Sequence, residues 1–208
     1  MLDVGTVRIA ATALLVLAIV GIAVLARSVS RPQGKVVASR SPARGSEAAW
    51  LGATVLAQGW TLGVLVLPAW FYAWPNPGNF PDSSDVQILG PVLWLLGMGL
   101  AGWGTRTLGR YMTVSIQVTE GHRLIEEGPY AWVRHPIYTG NAAAALGLAL
   151  LYLSPPLLAL AVLLAALATY RGRLEDEFLR SPQAFGERYD AYVARTGRFL
   201  PRLRRSGP

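Results

Sequence analysis

Long apolar runs separated by short polar segments dominate this sequence. A helix needs about 20 mostly apolar residues to cross the hydrocarbon core of a bilayer. Five stretches approach that length: residues 9–26, 48–70, 86–103, 137–153 and 155–170. The last two are short and nearly touch at Ser154-Pro155-Pro156. Proline cannot continue one helix but suits the first turn of the next, so the pair predicts a tight helical hairpin. Trp70, Tyr72 and Trp74 fall where an interfacial aromatic belt would sit. The pattern predicts an all-α polytopic membrane protein with about five transmembrane helices.

Composition agrees. The 208 residues are 52% hydrophobic and 15% charged, with a mean hydropathy of +0.36. A soluble domain carries about 25% charged residues. Net charge is +7, and Lys35 is the only lysine, so arginine supplies nearly all the positive charge. In so apolar a chain this excess points to a membrane surface and not to nucleic acid. With no cysteine, disulfides, thiolate metal sites and a cysteine nucleophile are excluded. No metal site is predicted.

The charges also give a direction. Arg27, Arg31, Lys35, Arg40 and Arg44 follow the first run, and Arg106, Arg110, Arg123 and Arg134 follow the third. Segment 75–85 has no Lys or Arg and two Asp, while the tail is basic again. By the positive-inside rule the amino terminus lies outside, and the tail lies in the cytoplasm with every motif discussed below. The arginine-heavy composition suggests a bacterial source, hence an inner membrane. The first run has its positive charges after it, as a retained anchor does and a signal peptide does not. Residues 28–46, rich in Arg, Ser, Pro and Gly, read as a flexible linker. The chain divides into a first helix with linker (1–47), two further helices (48–110) and a carboxy-terminal core (111–208).

Gly97-Met98-Gly99-Leu100-Ala101-Gly102 matches a dinucleotide-binding fingerprint. That fingerprint needs a strand before it and a helix after it. Here it lies inside an apolar helix, where Gly97 and Ala101 would let neighbouring helices approach.

Polar chemistry concentrates in two clusters. The first runs from His122 to Gly140 and holds both histidines of the chain. Gly128-Pro129 signals a turn. Pro136 biases His135 toward extended backbone and suits the first turn of the following helix. Arg134 and His135 therefore sit at the membrane surface beside a helix amino terminus, a place suited to an anion. The second cluster follows the fifth run: Arg171-Gly172-Arg173-Leu174-Glu175-Asp176-Glu177-Phe178, then Phe185-Gly186-Glu187-Arg188-Tyr189-Asp190-Ala191-Tyr192, ending near Leu200-Pro201. Arg173 and Glu177 stand at i and i+4 and share a helix face. Phe185, Tyr189 and Tyr192 fall at helical spacing, as in an amphipathic helix on a membrane surface.

Together the clusters resemble the isoprenylcysteine carboxyl methyltransferase family. The matching features are His-x-Leu-Ile, Gly-x-Tyr, Arg-His-Pro-x-Tyr-x-Gly, a helical hairpin, an Arg/Glu element and Phe-Gly-x-x-Tyr-x-x-Tyr before Leu-Pro. They cover His122 to Pro201, roughly the last hundred residues. The resemblance implies an integral membrane O-methyltransferase using S-adenosylmethionine. It implies a cytoplasmic cofactor pocket built by the loop before the fourth helix and the helix after the fifth. His122, Arg123, Leu124, Ile125, Tyr130, His135, Pro136, Ile137, Tyr138 and Glu177 would contact the cofactor. Arg173 and Arg134 would be catalytic, with the Arg173 fork suited to an acceptor carboxylate. The acceptor would be lipophilic or prenylated, drawn from membrane lipid. Two departures stand out: Glu175 and Asp176 precede Glu177 where the family places further Glu after it, and Ile137 replaces a small residue. Phospholipid N-methyltransferases share a related signature, and NADPH-dependent sterol-type reductases share part of it, so both remain alternatives.

Overall fold

The computed structural model describes residues 1–28, 35–39, 44–72, 83–113 and 115–202. Arg31, Arg40, Trp74 and most of the predicted outer loop lie outside the described residues. Among the described residues the fold is helical apart from one short two-stranded ribbon. Its elements are α1 (Val4–Ser28), β1 (Val36–Ser39), α2 (Arg44–Val66), α3 (Pro68–Phe71), α4 (Ser83–Leu108), β2 (Gln117–Thr119), α5 (Pro136–Tyr152), α6 (Pro155–Leu179) and α7 (Glu187–Arg195).

Four of these helices, α1, α2, α4 and α6, are long and apolar enough to cross a membrane. The chain is an integral membrane protein. The remaining predicted span is α5, a shorter helix of 17 residues that packs between α4 and α6. The second run also breaks at Leu67, after which Pro68 opens the separate turn α3. The hairpin forms as predicted. Leu153 takes a left-handed conformation at φ 45°, the Ser154 hydroxyl accepts from Leu157 N, and Pro155 opens α6.

Helices α4 and α5 run antiparallel and meet through glycine. A Cβ on Gly97 would stand 2.5 Å from Gly140 O, and one on Gly90 2.6 Å from Gly147 O. The spacing of seven residues on each helix keeps these small positions on one seam, and close backbone approach replaces hydrophobic burial as the adhesive within lipid. Gly97 and Ala101 of the fingerprint-like stretch therefore pack helices; Ala101 meets Gly140. At the far end, buried Gln87 donates to Leu151 O (2.8 Å) and Tyr72 Oη (3.1 Å) and accepts from Leu2 N (2.8 Å).

The stretch predicted as a flexible linker is partly ordered. β1 pairs antiparallel with β2, so this segment is tied to the loop that leads into the first polar cluster. Backbone hydrogen bonding overrode a loop-like composition. α7 also differs from expectation. Its aromatic face is buried in protein, where Tyr189 and Tyr192 are each 2% exposed, and does not face a membrane surface.

Candidate active site

The carboxy end of α4, the start of α5 and the last turns of α6 converge at one end of the bundle. The loop that carries the first polar cluster is held by the carboxy-terminal segment. Arg134 N donates to Gly197 O and His135 N to Arg198 O, Gly197 N returns a bond to Trp132 O, and Tyr192 Oη donates to Tyr130 O at 2.8 Å.

Asp176 is the electrostatic centre, 1% exposed. Its carboxylate accepts from Arg134 Nε and Nη2 (3.3 and 3.2 Å), Tyr189 Oη (2.7 Å) and Arg198 Nε (2.8 Å), with His135 Nε2 at 2.9 Å. Arg134 spends its remaining Nη1 on Thr196 O at 2.6 Å. All three nitrogens of the Arg134 guanidinium are thus bonded within the protein; a buried charge must be paired, and Asp176 is its partner.

A second string of bonds leads to the cavity. Tyr138 Oη donates to Glu175 Oε2 (3.0 Å) and accepts from Arg171 Nε (3.3 Å), while Arg171 Nη1 donates to Ser46 Oγ (3.1 Å). His135 Nδ1 lies 3.6 Å from Glu175 Oε2, and the His135 ring stacks on Tyr138 at 5.5 Å. Burial of His135 disfavours the imidazolium, but the bonds to Asp176 and Glu175 outweigh it and raise the pKa. Gly172 makes room for this stack, since a Cβ there would sit 3.0 Å from Phe199 and 3.3 Å from His135. At the other wall the His122 ring lies parallel to Tyr111 at 4.6 Å with Phe185 edge-on, and burial lowers its pKa. Burial pushes the hydroxyls of Tyr130, Tyr189 and Tyr192 up, so they stay protonated donors.

Tyr111, His122, His135, Tyr138, Glu175 and Tyr189 are among the residues that line one cavity of about 800 Å³. It is polar at the helix ends and continues as an apolar groove between α1, α2 and α4, past Leu17, Trp50, Trp94 and Met98. Of the predicted residues, His122, Arg123, Leu124, Ile125, Tyr130, Arg134, His135, Ile137 and Tyr138 line it. Pro136 is buried behind the lining and packs toward Gly104, whose missing side chain also admits the bulk of Ile137. Arg173 and Glu177 are both exposed, and neither is among the residues that line the cavity. Glu175 of the same helix does line the cavity, and Arg171 is buried and bonded to the lining residue Tyr138. A signal for this was present. The buried face of α6 runs Leu157, Ala161, Leu164, Ala168, and the next positions in phase are Arg171 or Gly172 and then Glu175 or Asp176.

Fold and site together define an integral membrane helical protein with a charged, aromatic-lined pocket at one end of its bundle. Residues 91–180 match the model of the isoprenylcysteine carboxyl methyltransferase family. The matched segment starts within α4 and ends just after α6, so it includes Gly97 of the seam, which lies ahead of the stretch carrying the sequence resemblance. Relatives include a cobalt-zinc-cadmium resistance protein of Cupriavidus metallidurans, 37% identical over 52% of this chain and 50% of that protein. A protein-S-isoprenylcysteine O-methyltransferase of Xenopus laevis is 28% identical over 59% of this chain and 44% of that protein. A probable enzyme of the same name from Oryza sativa subsp. indica is 30% identical, over 59% and 66% respectively. The chain spans about half the length of the first two.

Proposed function

We propose that this protein is an S-adenosylmethionine-dependent membrane methyltransferase that O-methylates the carboxylate of a lipophilic acceptor. The observation that carries this reading is the continuity of a polar pocket with an apolar groove in one cavity. Its volume falls within the range of about 300–1,000 Å³ usual for small-molecule sites. By their names, relatives in Xenopus and rice act on isoprenylcysteine, which joins a carboxylate to a hydrocarbon chain.

The residues present fit such a cofactor. S-adenosylmethionine, when bound, supplies an electrophilic methyl group on a sulfonium. Glu175 offers a carboxylate to its positive charge. The parallel rings of Tyr111 and His122 offer a flat wall for an adenine. Tyr138 and His135 fix Glu175 from two sides, so the carboxylate is aimed before any ligand arrives. An acceptor carboxylate is ionised near neutral pH, with an ordinary pKa of about 4, so no general base is required. The chain's contribution is to hold donor and acceptor in line and exclude water. The excess of arginine at the site end puts that end in the cytoplasm.

Binding tests the reading. Detergent-purified protein titrated with S-adenosylmethionine in a calorimeter should bind it, and Glu175→Ala should bind at least about tenfold more weakly, the loss of one charge-assisted contact. Wild-type protein that binds NADPH and not S-adenosylmethionine would overturn the assignment.

A further inference from the structure

Tyr138 and Glu175 are held in part from a helix that the family match does not reach. α2 begins at Arg44, ahead of residues 91–180. Ser46 and Trp50 stand at i and i+4 in its first turns and share a face. Trp50 is buried, and its ring meets that of Tyr138 in an edge arrangement at 4.9 Å. Ser46 Oγ accepts from Arg171 Nη1 at 3.1 Å. Arg171 is 1% exposed; its guanidinium lies over the Tyr138 ring at 5.7 Å, and its Nε donates to Tyr138 Oη at 3.3 Å. The hydroxyl passes the bond on to Glu175 Oε2 at 3.0 Å. Ser46, Arg171, Tyr138 and Glu175 thus form one line of bonds from α2 to the carboxylate.

Each link acts on the next. A hydroxyl that accepts from a guanidinium is polarised and donates more strongly, so Arg171 tightens Tyr138 on Glu175. Arg171 also precedes Glu175 by four residues on α6, the spacing at which an arginine and a glutamate of one helix pair directly. A direct pair would spend the carboxylate inside the protein. Ser46 takes one arm of the guanidinium and ties it to α2, which keeps Arg171 in the geometry that bonds the hydroxyl. A serine near a helix start commonly serves that helix's own N–H groups. Here its oxygen serves a buried cation on another helix.

We propose that Ser46 is a positioning residue for the cofactor: through Arg171 and Tyr138 it keeps the Glu175 carboxylate aimed at the positive charge of the methyl donor. This deepens the methyltransferase reading, on which it rests. It also makes α2, outside the family match, part of the support of the cofactor pocket.

The test is calorimetric titration of S-adenosylmethionine into variants of the full chain in detergent, with thermal unfolding alongside. Ser46→Ala should bind about three- to tenfold more weakly than wild type, the effect of one hydrogen bond to a charged group felt through two more. Ser46→Val, which has the shape of threonine without its hydroxyl, should repeat that loss. Ser46→Thr, which keeps the hydroxyl, should bind within about twofold of wild type. The deciding comparison is a cycle with Glu175→Ala. Adding Ser46→Ala to that variant should cost less than about twofold further, because the carboxylate that Ser46 serves is already gone. A serine that merely steadies the fold would show the same fractional loss in both backgrounds, tracked by a lower unfolding midpoint. Wild-type affinity in Ser46→Ala and Ser46→Val, equal losses with and without Glu175, or no recovery in Ser46→Thr overturns the inference. Wild type that does not bind S-adenosylmethionine would sink the methyltransferase reading and this inference with it. Wild type that binds, with Ser46 variants indistinguishable from it, would sink the inference alone.

Discussion

Asp176→Ala should destabilise the site end of this protein more than any surface change of equal size. Asp176 is 1% exposed and serves Arg134, His135, Tyr189 and Arg198 at once. Its removal leaves the Arg134 guanidinium, 6% exposed, without a counter-charge. Breaking a buried pair from one side costs about 3–5 kcal/mol, because the stranded charge keeps its full desolvation penalty. Asp190→Ala is the control: it breaks the Arg180–Asp190 pair, whose side chains are 40% and 60% exposed, and should cost under about 1 kcal/mol. Denaturant unfolding in detergent, followed by circular dichroism, compares them. The same hub ties down the segment around Arg198, so limited trypsin digestion of Asp176→Ala should cleave at Arg195 and Arg198 where wild type resists. A double variant, Asp176→Ala with Arg134→Met, should recover part of the loss, since it removes the stranded charge. A cost no larger than that of Asp190→Ala, or a double variant no better than the single, would refute the account of Asp176 as the buried counter-charge.

Other outcomes follow from the same geometry. Gly97→Ala should destabilise by about 1–3 kcal/mol, because its Cβ would stand 2.5 Å from Gly140 O. Gly99→Ala should be neutral or stabilising by up to about 1 kcal/mol, and thermal unfolding that ranks the two alike would be wrong for this structure. Glu177→Ala, an exposed change outside the cavity lining, should leave S-adenosylmethionine affinity within about twofold of wild type. The raised pKa of His135 means its contribution to stability is complete below about pH 6.5, the unfolded value. That contribution is lost as pH rises through the higher native value, so unfolding at pH 5.5, 7 and 8.5 should show a decline that His135→Gln flattens.

The sequence by itself determined that this chain is a helical membrane protein, because long apolar runs have no other stable home once their backbone must be satisfied inside lipid. It determined the hairpin at Ser154-Pro155, where local backbone chemistry stops one helix and starts the next. It also located the polar clusters, since charged and aromatic residues are sparse enough here for their grouping to stand out. Tertiary structure decided which member of each cluster faces inward. Arg171 and Glu175 differ from Arg173 and Glu177 by two residues, about 200° of helical rotation, and only the packing of α6 fixes that angle. It turned Arg134 onto Asp176, because burial of one charge demands its partner from another element. It made a strand of Val36–Ser39, whose partner lies far along the chain. Periodicity is a local property and reads from sequence; pairing is a long-range one and waits for the fold.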